Sequence, residues 1–136
     1  MNRPDREAIV PPGGETDYRD LQVPEVFRVG RTLYLSGHVG HIPEGELPED
    51  PREQIRAAFL DITGSLAAAG ATWADVVSGT SYHVRMRDHV EAFLEVHREF
   101  VQEPYPAWTA VGVTELYSPH AIVEITIVAV LPDQRD

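Results

Sequence analysis

The amino-acid sequence predicts an α+β domain with the order β-β-α-β-α-β-β, built as one mixed sheet with two helices on one face. Three observations predict it. Two short stretches around Gly30-Arg31 alternate apolar and polar residues with period two, as strands of a hairpin do. Two later stretches carry apolar residues at helical spacing, and each opens on an acidic residue. The last run, Ala121 to Leu131, is almost wholly apolar and rich in β-branched residues.

In chain order, residues 1–24 are rich in Pro, Gly and charge and read as an irregular arm, with 25–132 as a single domain. Val26 to Val29 is the first strand. Gly30-Arg31 suits a type II′ turn, with glycine at the first central position. Thr32 to Ser36 returns, with Leu33 and Leu35 on one face and Thr32, Tyr34 and Ser36 on the other. Gly37 to Pro48 is a loop. The first helix has a candidate N-cap at Asp50, proline at N1 (Pro51) and an acid at N3 (Glu53). Ile55, Phe59, Ile62, Leu66 and Ala69 form its stripe, and Gly70 ends it. Val76 to Val84 is a strand. The second helix is expected from Asp88, with Val90, Phe93, Leu94, His97 and Val101 inward and Pro104 and Pro106 barring continuation. Ala107 to Val113 and Ala121 to Leu131 are expected to close the chain as an antiparallel hairpin, the last strand covered on both faces. Each helix links two strands, and right-handed crossovers make those pairs parallel. The face away from the helices would carry Thr32, Tyr34, Ser36, Thr80 and Tyr82; its mixed apolar and small polar character suits a subunit interface.

Composition narrows the function classes. The chain has 136 residues, 43% hydrophobic, and no cysteine, which excludes disulfides, thiolate ligands and a cysteine nucleophile and fits a cytoplasmic protein. The N-terminal stretch has no apolar core of a signal peptide, and no apolar run approaches the roughly 20 residues that span a membrane. A net charge of −11 disfavours nucleic acid as a partner. Arg85 and Arg87 come nearest to a basic cluster, and Asp88 follows at once.

Glu124 is the most informative single residue. It is the only charged side chain between Ala121 and Leu131, and a carboxylate inside an apolar strand is costly unless paired, hydrogen-bonded or protonated. It is therefore either a site acid or base or a carboxylate held at a strand edge. The histidines do not make a metal motif. His38 and His41 lie three apart on a glycine-containing loop, and HExxH is absent, so no metal is expected. His97 reads as a packed helix residue, and His83 as a strand-end residue nearer a cleft. Ser36-Gly37 closes a strand and could bind substrate or water, but there is no GxSxG elbow. The glycines match neither a P-loop nor a dinucleotide fingerprint, and no cofactor is expected. Trp108 enters a strand after Tyr105-Pro106-Ala107. It is either a packing residue or a pocket wall shared with Tyr105 and Tyr117.

These pieces resemble the Rid (YjgF/UK114) family over about Val26 to Leu131. The motifs are Arg28-Val29-Gly30 with Leu33-Tyr34-Leu35-Ser36-Gly37, Gln54, Leu66 with Ala69-Gly70-Ala71, Asp75-Val76-Val77, Phe100, Pro106-Ala107, and Val123-Glu124-Ile125 with Ala129-Val130. The resemblance implies a chorismate-mutase-like homotrimer with small-molecule pockets between subunits, and hydrolysis of reactive 2-imino or enamine acids to 2-keto acids and ammonia. It implies Glu124 as the group that positions the attacking water, with Ser36 and Gly37 at the substrate. The family's carboxylate-binding arginine follows Pro-Ala, where this chain has Trp108. Its helix asparagine corresponds to Leu94, and its tyrosine before the first strand either to Val23 by position or to Tyr18 reaching the same place. The expectation is an enamine or imine deaminase-like hydrolase whose specificity differs from that of 2-imino acid deaminases. The alternatives are a non-catalytic small-molecule-binding trimer and, ranked last because of the acidic charge, a ribonuclease.

Overall fold

A computed structural model describes residues 5–40 and 46–133. It contains one six-stranded sheet, with strand order β1-β2-β3-β6-β4-β5. The elements are β1 (Arg6–Ile9), α1 (Glu15–Asp20), β2 (Val26–Val29), β3 (Thr32–Leu35), α2 (Pro51–Ala68), a short 3-10 turn (Trp73–Asp75), β4 (Val76–Val84), α3 (Met86–Phe100), β5 (Ala107–Val113) and β6 (Val123–Val130). The mixed sheet with both long helices on one face agrees with the α+β expectation.

The β2–β3 turn forms as predicted. Gly30 has φ +58° and Arg31 is not among the residues with positive φ, the combination of a II′ turn. The first long helix also follows its signals. The Asp50 carboxylate accepts from the Glu53 N–H at 3.1 Å, and Pro51 opens α2. Ile55, Ala58, Phe59, Ile62 and Leu66 are buried against Leu33, Leu35, Ile125 and Ile127 of the sheet. Burying such a set of large apolar side chains stabilises the fold by about 1.5–3 kcal/mol per residue before chain entropy is charged against it.

Four expectations need correction. The arm is not wholly irregular: β1 pairs antiparallel with β2, and α1 follows. A polar edge strand of four residues gives almost no periodic signal. The second long helix starts at Met86 rather than Asp88. Its N-cap is Arg85 in the left-handed region, with no side-chain cap, and Asp88 lies in the first turn. Its buried face is Phe93 and Val96, whereas Leu94 is 43% exposed. The closing hairpin does not form. β6 inserts between β3 and β4 and runs antiparallel to both, while β5 pairs parallel with β4 at the edge. Only one of the two helical crossovers therefore joins neighbouring parallel strands.

The sheet has two unlike faces. Val123, Ile125, Ile127 and Ala129 of β6 are buried under the helices. On the other face Glu124, Thr126, Val128 and Val130 are half-buried, so within one chain the last strand is covered on one side only. The register places Tyr82, Thr80 and Ser78 beside Glu124, Thr126 and Val128, with Tyr34 on the far side of Val128. The uncovered face is thus made of hydroxyl and β-branched side chains, as the sequence predicts. No helix among the described residues is long and apolar enough to cross a membrane.

Candidate functional site

Glu124 lies on the uncovered sheet face near the start of β6, opposite Tyr82 in the ladder. Its other neighbour is the segment that leaves β3. His38 continues the pairing past the end of that strand: its N–H donates to the Ile125 carbonyl at 2.8 Å, and its carbonyl accepts from Ile125 N–H at 3.0 Å. Gly37 is thereby laid against the Glu124 side chain. A Cβ at position 37 would stand 2.7 Å from Glu124 Cδ and 2.8 Å from Oε2, so a side chain there would have to displace the carboxyl from its present place. Glu124 is half-buried and has no hydrogen-bond or ion-pair partner among the described residues. Burial raises its pKa above the ordinary carboxylate value, because the charged form is less well solvated there.

Ser36 is adjacent but differently employed. Its hydroxyl donates to the Pro24 carbonyl at 2.7 Å, and its N–H to the Glu25 carbonyl at 3.1 Å. The hydroxyl expected to bind substrate therefore ties the β3 end to the chain entering β2. His38 is buried, with Nδ1 2.6 Å from the Ser36 carbonyl and Nε2 2.8 Å from Ser65 Oγ. Burial is the largest influence on its pKa and lowers it. His41 lies outside the described residues.

Trp108 is not brought to Glu124. It pairs with Gly79, three residues along β4 from Tyr82, and its ring lies on the helix-covered face. Its Nε1–H donates to Ser81 Oγ at 3.0 Å, and His83 Nε2 lies 2.7 Å from the same oxygen. His97 packs edge-on against the indole at 4.9 Å, and Phe93 lies 6.2 Å away. A Cβ on Gly79 would run into the indole ring. Of the two readings left open by the sequence, packing is the one this geometry supports. His83 and His97 belong to the same cluster, and burial lowers the pKa of each, which favours neutral imidazoles.

Tyr105 is 68% exposed and precedes β5 at the end of the sheet away from Glu124. Tyr117 is 80% exposed on the connector from β5 to β6. That connector borders a cavity of about 660 Å³ lined by Arg85, Glu115, Tyr117, Ser118, His120 and Ile122 among others. Gln54 of α2, buried, fixes the connector. Its Oε1 accepts from Ile122 N–H at 2.7 Å, and its Nε2 donates to the Pro48 and His120 carbonyls at 3.2 and 3.3 Å. Arg28 is held by Glu7 at 3.0 Å and by the Gly30 carbonyl at 2.8 Å. Arg85 is exposed, with Asp88 at 3.9 Å, and adjoins Val84, whose N–H donates to the Ile122 carbonyl. Of these two arginines, Arg85 is the one at the Glu124 end of the sheet. Sequence reading missed Gly79, Ser81, Ser65 and Glu25 as neighbours of the candidate residues. Only their pairing across strands and helices reveals them, although an isolated glycine inside a strand is a known sign of close approach.

Comparison with known proteins agrees with the fold. A family model described as endoribonuclease L-PSP matches residues 22–131. The RutC family protein YjgH of Escherichia coli K12 is 37% identical over 131 residues, 96% of this chain and 98% of that one. A solved structure of a protein named YJGH superposes with a TM-score of 0.84 at 36% identity, covering 96% of this chain and 99% of that chain. A 2-iminobutanoate/2-iminopropanoate deaminase of Dermatophagoides farinae is 35% identical over 109 residues, 79% of this chain and 84% of its own. The crystal structure of E. coli TdcF with bound serine superposes with a TM-score of 0.73 at 26% identity, covering 80% of this chain and 87% of that one. Fold, motif order and these matches together make the chain a member of the L-PSP endoribonuclease family, the Rid (YjgF/UK114) family.

Proposed function

We propose that the protein hydrolyses an enamine, imine or related carbonyl metabolite in a pocket completed by neighbouring copies in a homotrimer, with Glu124 as the acid/base group. The observation that carries this reading is Glu124 itself, a half-buried carboxyl without a partner among the described residues, on an uncovered sheet face, with a raised pKa and a glycine making room beside it. Imine hydrolysis needs such a group. Water adds across C=N to give a carbinolamine, and collapse of the carbinolamine expels ammonia and leaves the carbonyl. A base takes a proton from the water, and an acid returns one to the nitrogen. A carboxyl group whose pKa is nearer neutrality serves both steps in turn. The deaminase named among the relatives and the serine bound to TdcF support a small-molecule site of this kind.

The specificity differs in this reading because the family's arginine position holds Trp108, whose indole N–H is already engaged by Ser81. A guanidinium grips a carboxylate bidentately, and an indole buried under a helix does not replace it. The exposed Tyr117, on the connector at the Glu124 end of the sheet, offers flat aromatic surface instead. The favoured substrates are then larger or uncharged imines and enamines. An amino-acid oxidase coupled to ammonia detection tests this. Expected is slow release from 2-iminopropanoate, faster turnover of a bulkier imine, and at least a ~100-fold loss of turnover in Glu124→Gln with binding retained. Fast release from 2-iminopropanoate would overturn the divergent specificity. Binding without turnover across an imine and enamine screen would make the protein a non-catalytic binder.

A further inference from the structure

Beneath the Ser36-Gly37-His38 segment runs a buried polar chain to which the reaction above assigns no part. His38 is 6% exposed and Ser65 of α2 is 2% exposed. His38 Nδ1 lies 2.6 Å from the Ser36 carbonyl, Nε2 lies 2.8 Å from Ser65 Oγ, and Ser65 Oγ lies 2.9 Å from Glu25 Oε2. The Glu25 carboxylate is roofed by Gly14, where a Cβ would come within 2.8 Å of Oε1. Asp61, one turn before Ser65 on α2, belongs to the same cluster. Burial and the charge of Glu25 push its carboxyl up to about 7.

The proton count of this chain is constrained. A carbonyl oxygen only accepts, so His38 Nδ1 carries a hydrogen. Ser65 has one hydroxyl hydrogen for two neighbours, Glu25 and His38 Nε2. Both contacts are hydrogen bonds only if one further proton is present. With the Ser65 hydroxyl donating to Glu25, that proton sits on His38 Nε2. Without the extra proton, one of the two contacts sets acceptor against acceptor in a buried place, where a lost hydrogen bond is costly.

The chain is joined mechanically to Glu124. His38 is clamped to Ile125 through two backbone hydrogen bonds, and Gly37 packs on the Glu124 carboxyl. The Gly37-His38 segment thus forms one wall of the Glu124 carboxyl's surroundings.

We propose that Glu25, Ser65 and His38 are positioning residues for Glu124, and that the hydrogen bonds they share hold the Ser36–His38 segment against its carboxyl. The functional meaning rests on the reading of Glu124 as the reacting group, but the coupling itself does not. The titratable groups facing His38 are Glu25 from the segment before β2, Asp61 from α2 beside Ser65, and Glu124 from β6 beyond Gly37. Burial disfavours the charged imidazole, so with rising pH the Nε2 proton leaves below the ordinary histidine range and one bond of the chain is lost.

The test is NMR of the intact protein labelled with 13C at glutamate Cδ, following Glu124 against pH. In Ser65→Ala the Glu124 midpoint is expected to fall by about half a unit or more toward the ordinary carboxylate value, because a solvated carboxyl ionises more easily. Thr63→Val on the same helix removes a different side-chain bond, that from Trp73 Nε1, and is expected to leave the midpoint unchanged. His38→Gln removes the ring that spans the Ser36 carbonyl and Ser65 Oγ, so the Glu124 midpoint is expected to fall in the same direction. It also carries the test if Ser65→Ala does not fold. An unchanged Glu124 midpoint in a folded variant of Ser65 or His38 overturns the proposal. If Glu124→Gln leaves turnover intact, the functional reading fails while this coupling stays measurable.

Discussion

Asp61 shows how one residue can oppose the stability of the fold that places it. Its pKa in the native protein is about 7 against an ordinary 3.8, so the fold favours the protonated form. The sign follows. Stability associated with Asp61 is fully present below the unfolded value and is lost as pH rises through about 7, where the native state must carry the charge beside Glu25. Asp61→Asn removes the titration and should stabilise the protein at pH 8 by about 1–2 kcal/mol, after allowing for the side chain's partial access to water. At pH 4 the gain should shrink toward zero. Urea unfolding at the two pH values measures both. The same physics acts on Glu124, where burial without a charged partner raises the pKa. That residue was legible from sequence as a lone acid in an apolar strand. Its glycine neighbour in space, Gly37, was also named, but the reason for that glycine is the carboxyl lying against it. The chain of Glu25, Ser65 and His38 was not legible, because its members are 13 and 27 residues or more apart and meet only when α2 docks on the sheet.

The first long helix matched its sequence reading because its signals are local; the place of β6, set by long-range packing, did not. The first long helix is specified by Asp50, Pro51 and Glu53 at one end and Gly70, with φ +81°, at the other, all within its own stretch. The place of β6 is a different matter. Adjacent strands usually pair, yet the connector between β5 and β6 leads β6 across β4 to the slot between β3 and β4, and no local residue pattern encodes that choice. The face on which Trp108 falls is likewise decided by its partner strand, since Gly79 alone leaves the indole its space. Gly79→Ala should therefore destabilise the protein by about 1–3 kcal/mol, as overpacking of a filled site does. Replacing Trp108 by Ala in the same chain should recover part of that loss. A double-mutant cycle from chemical denaturation measures the coupling, and additive effects would show that the indole moves aside freely.

At the scale of the whole molecule the sheet is half finished. Leu33, Leu35, Val123, Ile125 and Ile127 are buried under α2 and α3, whereas the opposite face offers Tyr34, Thr80, Tyr82, Thr126, Val128 and Val111 to solvent in a single chain. A face of β-branched and hydroxyl groups with one carboxyl is apolar enough to be covered and polar enough to remain soluble when it is not. The proposed homotrimer covers it and, in doing so, encloses Glu124. This makes assembly and chemistry inseparable in the proposal, and it can be tested as one quantity. Sedimentation should give three times the 15.1 kDa of one chain. Val128→Asp puts a charge in the middle of the uncovered face, beside Tyr34 and Ser78, without touching the helix-packed core. A charge buried there without a partner is strongly unfavourable, so the variant should sediment as single chains with an unchanged far-ultraviolet spectrum. Turnover should be lost with the trimer although Glu124, Gly37 and the chain behind them are intact. A parent protein that sediments as one chain, or a monomeric Val128→Asp that still turns over substrate, would place the whole site within the single subunit.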